Sequence, residues 1–409
     1  MKRFLTLTIT IIILFPSVAF ANTNNTKAAF IRDGNLYTLI GDQERQITNE
    51  NRTVYNPKWS YDGKWILYQL EATKENQDDN EIWVYHIETK EKKRIARNGL
   101  APEWAPNKNV VAYIDRGILD ISDLEKFYNI STGVTDYVWY PEGNGFLMSS
   151  SGVARPDGWS SAILYTKEVD ENYDDVVLFG DVDHFFTLPK EIGIGNAKVI
   201  AVNAVEFGFS PSSKWISFIV SPTASWAMDS NMLCVIDRDG ENFTILDEVI
   251  TTSVGEPKWA PTTDTLAFIA GGGRLVTGFK NKSLKLQEMP ASVQYTPENY
   301  IDMEFDWITN NSIVTSRMEE REWSNDFSKH PLPTLYSISL NDNKQVAITN
   351  PPKGYGDYYP QYIKSLDKLV WLRGTSITDD ERTLWKANPD GTMAEAWIEN
   401  VDAIDFSPE

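Results

Sequence analysis

Cysteine is almost missing from this chain: Cys234 is the only one in 409 residues. No intrachain disulfide is therefore available, and the fold must be held by its core. Histidine is scarce as well. His86, His184 and His330 stand far apart and give no zinc-ligand spacing. No Gly-x-Ser-x-Gly nucleophile elbow is present, since GWSSA at 158–162 lacks the second glycine. Positive charge is in deficit too, with 38 Lys and Arg against 58 Asp and Glu and a formal net charge of −20. Such a surface repels nucleic acid and anionic lipid and suits cations or basic partners. Long hydrophobic runs are also lacking. Residues 4–15 form an apolar stretch of about 12 residues, too short to span a bilayer.

That short run follows Lys2 and Arg3, is broken by Pro16, and leads into Ala19-Phe20-Ala21, which places small residues where signal peptidase reads. The expectation is a signal peptide over residues 1–21, cleaved near Ala21, and a mature chain over 22–409. Asn22 stands where a lipoprotein needs cysteine, so no lipid anchor is expected. Losing Lys2 and Arg3 takes the net charge from −20 to −22. The mature protein is expected in the periplasm or cell envelope, or secreted.

What the chain has in abundance is one strand–turn–strand phrase. PKWSYDGKWILY at 57–68 is echoed by PEWAPNKNVVAY, FGFSPSSKWISF and PKWAPTTDTLAF. The aromatic ending the first strand marks each copy: Trp59, Trp104, Trp139, Phe209, Trp259, Trp307, Tyr362 and Phe406. From Trp59 to Phe406 there are 347 residues in seven intervals, about 50 each, the length of one four-stranded propeller blade. Two further strand-like runs follow most copies, as in EIWVYHI with KKRIAR, or NMLCVIDRDGENFTIL, separated by Asp-Gly or similar tips. Helical periodicity is hard to find in the mature chain. Four strands, a to d, therefore recur in order.

The two ends complement each other. AAFIR, NLYTLIG and ERQIT read as strands b, c and d without an a, and VDAIDFSPE reads as an a alone. Paired, they complete a blade and close a ring, which removes the exposed sheet edge of a linear stack. The fold class expected is all-β, a single β-propeller closed by its N- and C-terminal strands. Counting anchors gives eight blades; the 70 residues from Trp139 to Phe209 leave seven or nine open.

The stretches WSYDGKWILY, FSPSSKWISF and VIDRDGENFTIL resemble the TolB-like propeller repeat, and the resemblance spans nearly the whole mature chain. It implies an exported propeller that binds other proteins. The same repeat is similar to the propeller of prolyl oligopeptidase-type enzymes. Two departures stand out: TolB carries a separate α/β domain before six blades, whereas blade sequence here begins beside the cleavage site. No hydrolase sequence follows the repeats either. Whether the chain is an enzyme stays open, with a non-catalytic role preferred.

Metal-binding signals are faint. DRDG at 237–240 resembles the start of a calcium loop but lacks the ligand glutamate, and SYDGKW is similar to a shortened sialidase Asp box. The acidic loops QDDNE, DENYDD and DVDH, the last ending in His184, leave calcium open as a ligand, and no other cofactor is expected. Loop length carries more information. The b–c connections are long in several blades and share one face of a propeller. They bear Arg155, Trp159, Trp226, Asp229, Arg321, Trp323 and His330. Long loops on a rigid scaffold hold function, and Trp and Arg dominate binding hot spots. These residues are the expected partner-binding set, with no catalytic and no metal residues assigned. The reading is a monomeric, non-catalytic module presenting this face to a protein or peptide. The alternative is a carbohydrate-binding or carbohydrate-active propeller that stacks sugars on the loop Trp; a sensor with an ion or small ligand in its central channel is a third possibility.

Overall fold

A computed structural model describes residues 26–49, 52–72, 80–289, 291–379 and 381–407. The expected signal segment 1–21, and Gln77 to Asp79 of the first acidic loop, lie outside these residues. Eight four-stranded antiparallel sheets follow one another and close as a ring, an eight-bladed β-propeller. Blade 1 takes strands b, c and d from Lys27–Arg32, Asn35–Ile40 and Gln43–Gln46, and strand a from Ala403–Phe406. Blades 2 to 8 occupy 54–96, 100–132, 136–187, 203–249, 258–294, 300–347 and 356–401. The closing register pairs Ala28 with Phe406, Phe30 with Ile404 and Ile31 with Ala403, so the two chain ends share one sheet as expected.

The long interval between Trp139 and Phe209 is explained by two inserted hairpins and not by an extra blade. Ala154–Arg155 pairs with Gly158–Trp159 between strands b and c of blade 4, and Glu191–Ile194 pairs with Ala197–Ile200 before blade 5. Among the described residues, helix is confined to short 3-10 turns. The core lies between neighbouring blades. Ala28, Phe30 and Leu39 of blade 1 pack on Val370, Leu372 and Leu384 of blade 8, and Phe218 and Cys234 of blade 5 join Leu147 and Leu164 of blade 4. Burial of this apolar surface is what holds a chain without disulfides.

The repeated phrase has a local cause. In blade 2 the Ser60 hydroxyl donates to Asp62 (2.7 Å) and accepts from the Trp65 amide (3.0 Å), fixing the a–b turn. Ser210 accepts from the Trp215 amide (3.2 Å) in blade 5 in the same way. Not every aromatic anchor is a fully buried core residue. Trp59, Trp139 and Trp307 are buried, but Trp104, Phe209, Trp259, Tyr362 and Phe406, likewise at or near the end of strand a, are half-exposed. There the indole nitrogen is put to use. Trp104 donates to the Lys58 carbonyl (3.1 Å), Trp259 to Gly208 (3.2 Å) and Trp307 to Lys258 (3.2 Å). In each case the acceptor is the residue just before the preceding blade's anchor.

Three residues before the anchor, strand a bulges. Asn56, Ala101, Glu206 and Tyr359 adopt left-handed backbone there (φ +47 to +56°), and the strand register shifts across each. The first strands touch between several neighbouring blades, including 1 and 2, 4 and 5, and 7 and 8. This position carries Asp136, Glu206, Glu256 and Glu304 in blades 4 to 7. The Asp136 carboxylate accepts from the Glu206 amide (2.9 Å). Burial lifts the pKa of Asp136 to about 6 and that of Glu206 to about 7, the latter helped by repulsion from Glu256 and Asp136.

Candidate binding face

The b–c loops of blades 5, 6 and 7 form one connected wall. Blade 5 contributes the 3-10 turn Ala224–Met228, whose backbone is fixed by the Trp226 carbonyl accepting from the amides of Asp229 (3.0 Å) and Ser230 (3.1 Å). The indole itself is 62% exposed. Asp229 does not wait for a ligand: Arg274 from blade 6 grips it through Nε and Nη2, both at 2.6 Å, and reaches the Ser225 carbonyl at 2.8 Å. The bidentate bond holds the Asp229 carboxyl below its usual pKa.

Arg274 is placed there by the glycines before it. The Lys282 ammonium is buried beneath the loop and donates to the carbonyls of Gly271 (3.0 Å), Gly272 (2.7 Å) and Gly273 (3.0 Å). Gly271 has φ +111°, and a Cβ there would fall 1.6 Å from the Asn281 carbonyl oxygen, so no other residue fits. Burial lowers the Lys282 pKa to about 8.

Blade 6 is joined to blade 7 in turn. The Arg321 amide donates to the Phe279 carbonyl (2.7 Å), and Lys280 pairs with Glu322 (2.8 Å). Trp323 stacks on Phe279 at 5.5 Å and lies 4.5 Å from His330, whose Nε2 donates to the Ser324 carbonyl at 2.6 Å. Trp323 and His330 therefore pack the blade 7 loop against blade 6 and are half-exposed. Arg321 is exposed and pairs with Glu319 (3.3 Å).

Arg155 and Trp159 sit apart on the inserted hairpin of blade 4. Its base is tied to blade 5 by Ser151 bonding Asn203 (2.5 Å) and by the Gly152 amide donating to Val202 (2.8 Å). Of the seven expected residues, the structure joins Trp226, Asp229, Arg321, Trp323 and His330 in one wall and leaves Arg155 and Trp159 beside it. Arg274, Phe279 and Lys282 were missed by sequence reasoning, because the blade 6 loop over 271–282 carries no Trp. The signal that could have found them is the run of three glycines directly before an arginine. Also unread were Met228, Val276 and Phe327, exposed apolar side chains on the same three loops.

His86 accepts the Thr89 amide through Nδ1 (3.1 Å) and meets Trp65 edge-on, a rim position. His184 bonds the Thr187 hydroxyl through Nε2 (2.7 Å). Among the described residues, no group of three His, Cys, Asp or Glu side chains is placed to hold a metal ion.

No family model matches the chain, and no curated protein matches its sequence. Solved structures do match. A eukaryotic initiation factor aligns with a TM-score of 0.58 at 11% identity, covering 94% of this chain and 89% of that one. A puromycin-hydrolyzing peptidase of Mycobacterium tuberculosis aligns with a TM-score of 0.50 at 11% identity over 85% of this chain. The chain spans only 53% of that peptidase's length. TolB from Acinetobacter baumannii is also among the neighbours, at 16% identity and a TM-score of 0.37, covering 65% of this chain and 61% of TolB. At such identities the likeness establishes the fold, a β-propeller, and nothing finer.

Proposed function

We propose that this chain is an exported, non-catalytic β-propeller binding module whose b–c loop wall on blades 5 to 7 receives a protein or peptide partner. The observation that carries the reading is the set of exposed apolar side chains Trp226, Met228, Val276 and Phe327 on loops braced from blade to blade. Apolar groups left in water on a stiff support favour a partner that covers them, and the stiff support lowers the ordering cost of binding. The acidic net charge selects basic partners and speeds their approach. The apolar N-terminal run after Lys2 and Arg3 supports export, and the resemblance of the repeats to TolB-like propellers supports protein binding.

A photo-crosslinking side chain at position 226, expressed in the producing cell, tests this. The expected result is a discrete protein adduct that is absent when the probe sits at Asp239, on the opposite turns. Equal labelling from both positions, or selective capture of glycan at 226, would contradict it; the second outcome would favour the carbohydrate-binding alternative.

A further inference from the structure

The ring closes at the seam between blades 8 and 1, and beside the packed core there a gap remains. A cavity of about 360 Å³ lies there, within the size range of small-ligand pockets. Val370, Leu372 and Leu384 of blade 8 and Ile404 of blade 1 give it apolar walls, and Tyr359, Gln361, Arg382 and Asp402 give it polar ones. The reason for the space is legible in strand a of blade 1. It is only Ala403–Phe406, and Ala403 puts a methyl group where blades 4 to 8 carry Asp136, Glu206, Glu256, Glu304 and Tyr359. Ala403 itself lines the cavity.

Arg382 is the unusual group. It is only 6% exposed, yet its bonded acceptors are two main-chain carbonyls, Asp379 from Nε (2.5 Å) and Ile377 from Nη2 (3.3 Å). Nη1 is buried with no hydrogen-bond partner, and among the described residues no carboxylate forms an ion pair with this guanidinium. Arg373, in the same blade, shows the ordinary solution: it is closed bidentately by Asp357 at 2.6 and 2.9 Å. Two carboxylates lie near enough to Arg382 to feel its charge without forming an ion pair with it, Asp379 and Glu304, and Glu304 is buried, which raises its pKa to about 7. A buried cation with spare N–H groups is costly unless an anion meets it.

We infer that the blade 8–blade 1 seam is a binding site for a small apolar carboxylate, with the carboxylate on Arg382 and the apolar body against Val370, Leu372 and Leu384. A charge-assisted bond to a guanidinium in an apolar cavity favours the acid over its uncharged amide. The ligand is either a free acid or the C-terminal residue of a peptide, since both present the same chemistry. The site is separate from the loop wall and stands or falls independently of it.

The test is calorimetric titration of the full chain with 3-phenylpropanoate and, separately, with 3-phenylpropanamide. The expected result is acid binding about tenfold or more tighter than amide binding. Acetyl-Ala-Phe with a free carboxylate against its C-terminal amide separates the sources: binding of the peptide acid assigns a chain end, and binding of the free acid alone assigns a metabolite. Arg382→Gln should erase the preference for acid. Ala403→Leu, which keeps the guanidinium but fills the cavity, should abolish binding even if the Arg382 variant fails to fold. No acid binding, equal binding of acid and amide, or undiminished binding by the Ala403 variant would each overturn the assignment.

Discussion

The indole nitrogen of Trp59 donates to the main-chain carbonyl of Asp405 at 3.3 Å, and the Trp59 amide donates to the Asp405 carboxylate at 3.1 Å. Residues 346 positions apart are thus joined twice. The first bond is the same stitch that Trp104, Trp259 and Trp307 make to their preceding blades, so the ring closes with the geometry it uses elsewhere. The carboxylate bond also recurs: Asp306 accepts from the Tyr362 amide at 2.8 Å. Burial raises the Asp405 pKa to about 6.

This stitch makes a comparison possible. Trp59→Phe and Trp307→Phe keep the ring in place but lose a donor and leave a carbonyl unmatched. Trp139→Phe loses nothing of the kind, because its indole nitrogen has no hydrogen-bond partner among the described residues. Chemical denaturation should show the first two losing about 1 kcal/mol more than the third. Equal losses would reduce the indole bonds to mere consequences of packing.

The glycine loop beneath the binding face should be far more sensitive than the ion pair on top of it. Gly271→Ala forces a Cβ into the Asn281 carbonyl at a positive φ and should cost on the order of 3 kcal/mol. Asp229→Ala removes a partly exposed pair with Arg274 and should cost under ~1 kcal/mol. Urea midpoints for the two variants decide the order.

The two loop tryptophans should also separate. Trp226→Ala should leave the melting temperature unchanged, since the side chain stands in water. Trp323→Ala removes a ring packed on Phe279 and His330 and should lower stability by ~1–3 kcal/mol. Partner capture is expected to fail in the Trp226 variant for lack of contact. In the Trp323 variant it should weaken because the loop loosens.

The buried carboxylates of the inner strands set a pH dependence. Glu206 and Glu304 have pKa values raised to about 7, and Asp136 and Asp405 to about 6. The folded state therefore binds more protons than the unfolded chain between roughly pH 4 and pH 7. Their stabilising contribution is complete below the unfolded pKa near 4 and is lost as pH rises through 6 to 7. Thermal unfolding should thus come at a higher temperature at pH 5 than at pH 8. Glu304→Gln should recover ~2–3 kcal/mol at pH 8 and little at pH 5. A melting temperature that climbs steadily from pH 5 to pH 8 would contradict this assignment.

Much of the fold was legible because its signals repeat. The Trp59, Trp104 and Trp259 phrases, the Asp-Gly tips and the complementary ends are local features copied around a ring, and each copy reinforces the others. The site was legible only in part. Loop length pointed to the face bearing Trp226, but whether an aromatic faces water or its own loop is a tertiary matter, and Trp323 went the other way. The grip of Arg274 on Asp229 and the burial of Lys282 under three carbonyls depend on groups brought together by the blade stack. The bulge that turns Glu206 and Tyr359 inward leaves no mark in the hydrophobic pattern, so the row of inner carboxylates and the cavity beside Ala403 were equally silent.

Amide hydrogen exchange of the native chain tests ring closure most directly. The paired strands Ala28–Ile31 and Ala403–Phe406 should exchange as slowly as the amide of Cys234 in the middle of blade 5, opening only with global unfolding. Rapid exchange confined to 403–406, with blade 5 still protected, would mean that the C-terminal strand does not complete the first blade, and the closed eight-bladed ring would have to be abandoned.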